Sequence, residues 1–217
     1  MRPATATTLL AAALLATGCS SQSPSTGGST PAPTTPPTST SPVGTPTRSQ
    51  DALAAALLGA PDVPVGWAVY TGKPTGTATV TSSVTASDPM CAGFLEQVKD
   101  PPDPLPANHA KVEFDGGDLK PPYVVESLQA FPSTAAAAAQ LAKQQQDIAS
   151  CPRVTYTVEG GTSAVAVAAE APPSVTVPAS SLRLTAQGGG LSGYDARIVT
   201  AQVGDTLVSL TFLKATA

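Results

Sequence analysis

Residues 20–47 limit where this chain of 217 residues can fold. They contain 7 Ser, 8 Thr, 7 Pro and 3 Gly, so 25 of the 28 positions are small, polar or proline, and none is charged. Such a segment buries too little apolar surface to offset its chain entropy. We therefore predict a disordered Pro/Ser/Thr linker over 19–48 and place the folded part at 49–217, which is about one domain in length.

The residues before Cys19 have the pattern of an export signal, with positive charge at Arg2 and an apolar core over 9–15. The junction Leu15-Ala16-Thr17-Gly18-Cys19 resembles the lipobox of bacterial lipoproteins, in which the cysteine thiol receives a diacylglycerol and becomes the mature N-terminus. It departs from the lipobox at Ala16, where leucine is favoured. We predict a signal peptide at 1–18 and a lipidated Cys19 that anchors the chain on the outer, extracytoplasmic face of the cell membrane. The alternative is a secreted protein with a free thiol.

The charge balance argues against nucleic acid as a partner, and the hydropathy argues against a transmembrane helix. The chain carries 15 acidic and 11 basic residues, a net charge of −4, which leaves no basic patch for nucleic acid. No apolar run reaches the roughly 18–20 residues of a transmembrane helix. The predicted membrane contact is therefore the acylated cysteine alone.

Three helices and a series of β-rich segments are predicted within 49–217. The helices begin at the N-cap residues Ser49, Asp88 and Ser133, and the third spans 133–149 through five consecutive alanines. Because the turns between strands are too short for parallel crossovers, we predict the α+β class: one domain with a mostly antiparallel sheet packed by two or three helices on one side. The predicted strands are Trp67–Tyr70, Thr77–Thr85, Ala110–Phe114, Tyr123–Phe131, Val154–Val158, Ala164–Ala169, Leu182–Gln187, Asp195–Gln202 and Thr206–Leu213.

Two further cysteines, Cys91 and Cys151, lie 60 positions apart in the folded part. In an exported protein they are most simply a disulfide. A metal site or a catalytic thiol pair is the alternative, and the lack of a C-x-x-C motif disfavours it. Closing a loop of this size contributes about 4 kcal/mol in the chain-entropy model.

Several local patterns occur together in the folded part. They are a short helix before Leu57-Leu58, the turn Asp62-x-Pro64-x-Gly66-Trp67, Cys91 at a helix start, and Phe131-Pro132-Ser133 leading into an Ala-rich helix that ends at Cys151. Together they resemble the extracellular sensor-like domain of the actinobacterial PknH-type kinases and its relatives among mycobacterial lipoproteins. The resemblance covers roughly residues 50–213, and its most specific stretch is 131–151. It implies an antiparallel sheet packed by helices around a cleft for an unknown ligand. The chain lacks the second disulfide of the kinase relatives, a transmembrane helix and a kinase domain.

A search for catalytic or metal-binding patterns yields no catalytic residue, no metal site and no cofactor. His109 is the single histidine, and no G-x-S-x-G motif accompanies it. The acidic residues Glu113, Asp115 and Asp118 surround Gly116-Gly117, which is typical of an exposed hairpin turn and matches no EF-hand loop. The chain is therefore predicted to be a non-enzyme.

Three functions remain as hypotheses. The first is a sensor-like module that binds an unknown small-molecule, lipid or glycolipid ligand. The second is a scaffold or accessory protein that binds another envelope protein, and the third is a hydrolase built on His109 and a serine. The low charge of the strands predicts a cleft lined by small and aliphatic side chains, with Trp67 and Tyr123 as the aromatic ligand contacts.

Overall fold

A computed structural model describes residues 48–70, 83–99, 105–116, 123–158 and 161–215. The described helices are α1 Gln50–Ala54, α2 Ala92–Gln97 and α3 Thr134–Ser150, and short 3-10 turns span Ala60–Asp62, Pro89–Cys91 and Gly189–Leu191. The strands are β1 Ala68–Val69, β2 Ser83–Thr85, β3 His109–Asp115, β4 Tyr123–Ala130, β5 Arg153–Val158, β6 Gly161–Glu170, β7 Ala179–Ala186, β8 Tyr194–Val203 and β9 Thr206–Ala215. The predicted strand Thr77–Thr85 lies outside the described residues except for 83–85.

The nine described strands form one sheet in the order β1-β3-β4-β9-β8-β7-β6-β5-β2. Every pairing is antiparallel, as predicted. The two edge strands have only 2 and 3 residues, whereas β6, β8 and β9 have 10 each.

The predicted α+β class is wrong, because the sheet dominates the described chain. Two of the three predicted helices end within 5 and 6 residues, at Ala54 and Gln97, and only α3 is long, with 17. Several strands meanwhile run beyond their predicted ends: β6 was expected over 164–169 and spans Gly161–Glu170. A helix of one or two turns depends on tertiary packing, so a capping residue and a few leucines do not extend it.

Helices cover both faces of the sheet, which corrects the prediction that they lie on one side. We call the front face the one that carries Leu182, Ile198, Thr211 and Val125, which are direct neighbours across β7, β8, β9 and β4. Ile148 of α3 packs with Leu182 on this front face. Leu53 of α1 packs instead against Ala110 and Leu128, which alternate to the opposite, back face.

The sequence explains why α3 is long. The Ser133 hydroxyl accepts a hydrogen bond from the Ala136 N–H at 3.1 Å, which caps the first turn. Alanines have the highest helix propensity, and the apolar positions Ala137, Leu141 and Ile148 lie on one side and are buried. The helix ends at Cys151, directly before Pro152.

Candidate functional site

A broad cleft of about 1830 Å³ opens on the front face. Its floor is the front face of β3, β4, β9, β8 and β7, and α2 and α3 contribute its wall. Typical small-molecule pockets measure about 300–1,000 Å³, so this cleft is large enough for a long or branched ligand.

All four tyrosines of the chain line this cleft. They come from four different strands or strand ends, at Tyr70, Tyr123, Tyr156 and Tyr194, and none is fully buried. Tyrosine combines a large apolar ring with a polar tip at low conformational cost, so it is favoured at binding surfaces. Although only 4% of the residues are aromatic, every tyrosine of the chain lies at this cleft.

The cleft floor changes polarity along the strand direction. A row of hydroxyls crosses it, in which Ser180, Thr200, Ser209 and Ser127 are direct neighbours on β7, β8, β9 and β4. Four residues further along the same strands lies an apolar row, formed by Leu184, Ala196, Leu213 and Tyr123. At about 3.3 Å per residue, the two rows are about 13 Å apart.

Charges in the cleft lining balance. Three lysines and three carboxylates contribute to it among the described residues, and each lysine is in an ion pair. Lys111 Nζ lies 2.6 Å from Glu113 Oε1 at the β3 side, and Lys143 Nζ lies 2.6 Å from Asp147 Oδ2 on α3. The described lining therefore carries no net formal charge, although the prediction of a lining of small and aliphatic side chains omitted these ion pairs.

The predicted disulfide between Cys91 and Cys151 is confirmed, with an S–S distance of 2.01 Å. Both cysteines are fully buried, and they join the turn before α2 to the end of α3. Because both helices line the cleft, the cross-link fixes the position of its wall.

The contact between α2 and α3 is tight at Gly93. A Cβ atom at this position would lie well inside contact distance of the Asp147 carboxylate. That carboxylate accepts hydrogen bonds from Gln97 Nε2 at 2.5 Å and from Lys143 Nζ at 2.6 Å. Because Gly93 has no side chain, α2 and α3 approach closely enough for these hydrogen bonds to form at their contact.

His109 lines the cleft at the start of β3, and burial lowers its pKa. No hydrogen bond between His109 and a serine is found in the described part of the chain, so the geometry of a nucleophile and base is not assembled there. Those residues also contain no group of three or more His, Cys, Asp or Glu that could hold a metal ion. Of the predicted acidic turn, Asp118 lies outside the described residues.

The structure separates the two aromatic residues that the sequence singled out. Tyr123 lines the cleft, whereas Trp67 does not, and its indole lies near Gly116. The pairing of Ala68 with Asp115 places Trp67 on the back face. Sequence reasoning missed the other three tyrosines because each belongs to a different strand; their common face appears only once the register is known. Cys19 lies outside the described residues.

No family model matches the chain, and a search of the curated proteins finds no significant match. Among solved structures, the chain is similar to the extracellular domain of PknH from Mycobacterium tuberculosis. The TM-score is 0.55 at 20% sequence identity, over 80% of this chain and 90% of that one. The likeness confirms, for the fold, the resemblance that the sequence predicts. Among the described residues no helix is long and apolar enough to cross a membrane.

Proposed function

We propose that this protein is a non-enzymatic, lipid-anchored module outside the cell membrane that binds a ligand in the front cleft. The observation that carries the proposal is the convergence of all four tyrosines on one broad cleft without net charge. Its fold is similar to that of the extracellular domain of PknH. Because no serine is hydrogen-bonded to His109 among the described residues, a binding function is favoured over hydrolysis.

Two adjacent valines provide a matched test of the site. Val125 lines the cleft, and Val124 lies on the opposite face, paired with Phe212; both are half-buried. Native mass spectrometry of the full chain purified from its own host in mild detergent should show a co-purifying ligand mass. Val125→Gln should abolish that mass, and Val124→Gln should retain it. Loss of the mass in both variants, or in neither, would contradict the proposed site.

The membrane anchor rests on the lipobox-like junction before Cys19. Cys19→Ala should abolish acylation and leave the precursor uncleaved or mislocalised. Detergent-phase partitioning of the wild type and the variant measures this directly, since acyl chains bind membranes at about 0.8 kcal/mol per buried methylene. Identical partitioning of the two chains would exclude the anchor.

A second candidate function, binding of another envelope protein, is favoured by an apolar row on the back face. Val69, Phe114, Val124 and Phe212 are direct neighbours across β1, β3, β4 and β9. The exposed members of this row are Val69, at 42%, and Phe212, at 41%, while Phe114 is fully buried and Val124 is half-buried. Exposed apolar side chains on a sheet face are available for contact with another protein. Chemical cross-linking in the host should then recover one partner with the wild type and with Val125→Gln, but not with Val124→Gln.

A further inference from the structure

The polarity of the cleft floor runs in one direction, parallel to the strands. At one end lies the hydroxyl row defined above, and about 13 Å along the strands lies the apolar row. Between them Ile198, Thr211 and Val125 form a mixed row. A ligand that follows the strands therefore meets hydrogen-bonding groups at one end and aliphatic carbon at the other.

The hydroxyl row has unused hydrogen-bonding capacity. Thr200 and Ser209 share one hydrogen bond at 2.9 Å, and a hydroxyl can form more than one. Ser180 is only 7% exposed and lines the cleft, and no side-chain hydrogen bond is found for it in the described ranges. Every described side-chain nitrogen or oxygen atom that is completely shielded from solvent has a hydrogen-bond partner. Because the Ser180 hydroxyl has none within that part of the chain, it is not completely shielded and is open to the cleft. A buried hydroxyl without a protein partner favours a ligand that supplies one.

Among the described residues, no charge without an ion-pair partner is found at the polar end of the cleft to match an ionic head group. Lys111, the neighbour of Ser127 on β3, is 2.6 Å from Glu113. The α3 side chains that line the same region include Gln140 and Gln144, which donate and accept without charge. An anionic or cationic head group would have to break an ion pair or lose hydration without compensation.

We infer that the cleft binds a neutral amphiphile. Its uncharged head group, rich in hydroxyl or amide groups, lies on the row of Ser127, Ser209, Thr200 and Ser180, and its alkyl chain runs along the strands towards Leu213 and Tyr123. The inference rests on the proposed function, since it takes the front cleft as the ligand site.

Short alkyl probes below their micelle-forming concentrations test this assignment. The full chain carries Cys19→Ala, so that neither its own acyl chains nor detergent compete. Calorimetric titration compares decyl maltoside with decyl sulfate, decyltrimethylammonium and maltose. Decyl maltoside should bind at least about tenfold more tightly than the charged probes, because a desolvated charge without a partner costs more than 1.4 kcal/mol. Maltose, which lacks the chain, should bind more weakly still.

Two variants distinguish the two ends of the site. Ser127→Ala combined with Ser209→Ala should weaken decyl maltoside about tenfold, as expected for two lost neutral hydrogen bonds, and should reduce the preference over the charged probes. In the wild type, decyl maltoside should bind about tenfold more tightly than octyl maltoside, because it has two more methylenes to bury. Leu213→Asn should instead remove most of this difference in affinity. The control is Thr157→Val, which removes an exposed hydroxyl pair with Thr162 on the opposite face and should leave all affinities unchanged. Melting curves verify that each variant folds.

The possible results separate the inference from the proposed function. If the charged probes bind as well as decyl maltoside, or if the serine variant changes nothing, the inference is wrong, and the loss of ligand in Val125→Gln still supports the cleft. If no alkyl probe binds, the inference is also wrong. The proposed function is tested separately by the two valine variants, and it fails when both keep the co-purifying mass or both lose it.

Discussion

The two faces of this sheet are built from alternate residues of the same strands, and they differ in how they use polar groups. On the front face the hydroxyl row and the tyrosines line an open cleft, together with three lysines that are each in an ion pair. On the back face, charged residues bind one another across strands: Arg183 donates to both oxygens of Asp195, and Arg197 pairs with Glu170. The front face thus offers polar groups to a ligand, while the back face uses them within the fold.

The two faces are also covered differently. The front wall consists of α2 and α3, fixed by a disulfide, whereas the back face receives the short helix α1 and the chain that follows it. Leu58 N–H donates to the buried Glu126 at 2.6 Å, and Leu53 packs against Ala110 and Leu128, so that a hydrogen bond and apolar contacts together attach this segment to the back face. A substitution on one face should therefore leave the properties of the other face unchanged, so that the two faces can be tested separately.

The largest expected effect is the loss of the cross-link on the front face. Cys151→Ser opens the link over 60 positions and should lower the free energy of unfolding by about 4 kcal/mol. In a domain of this size, that corresponds to a melting temperature lower by about 10 °C. Differential scanning calorimetry measures it, with reduced wild type as the matched control. A shift of a degree or less would show that the wall does not depend on the disulfide.

On the back face, Asp195→Asn should cost about 2 kcal/mol, since it removes a bidentate, charge-assisted contact from a residue that is 5% exposed. Arg183 holds the pKa of Asp195 below its ordinary value. A lowered pKa stabilises the fold above the unfolded value of about 4, and this contribution is lost as the pH falls through the folded value. Chemical denaturation should show the full difference at pH 7 and convergence of the variant and wild type in strong acid. Ligand binding in the cleft should not change.

Gly93→Ala should have a smaller effect, about 1 kcal/mol. The methyl group displaces the Asp147 carboxylate from Gln97 and Lys143, and the gain in helix propensity offsets part of that loss. Urea denaturation measures the change, and Ala92→Ser on an exposed position of the same helix is the control. An unchanged midpoint for Gly93→Ala would mean that α2 and α3 can separate without cost.

The smallest effect is expected for Glu126→Gln. Burial raises the pKa of Glu126, and the hydrogen bond from Leu58 opposes this only in part. A raised pKa means that the contribution to stability is complete below the unfolded value of about 4.3 and is lost as the pH rises through the folded value. At pH 7 the glutamine variant should therefore melt at the same temperature as wild type or about 2 °C higher, and the difference should vanish near pH 4. A strongly destabilised variant at pH 7 would contradict this sign.

The sequence predicted the features that depend on residues close together in the chain. It also predicted the disulfide, because only two cysteines remain after Cys19. The Ser133 cap and the alanines identified α3, and two remaining cysteines in a chain predicted to be exported identified the disulfide. The predicted fold class was wrong because α1 and α2 are too short for their own residues to determine them. Of the tyrosines that line the cleft, the sequence singled out Tyr123 alone, because the register that brings Tyr156 and Tyr194 to the same face depends on pairings between distant strands.

The most direct test of a ligand site on the front face uses the aromatic residues themselves. In the full chain with Cys19→Ala, the four tyrosine rings are labelled with carbon-13 and the single indole of Trp67 with nitrogen-15, and NMR spectra are recorded during titration with decyl maltoside. The cleft predicts saturable shifts of tyrosine signals, with Tyr123 and Tyr194 among them, while the Trp67 signal stays in place. Saturable movement of Trp67 with unchanged tyrosines would put the ligand on the back face and contradict the account.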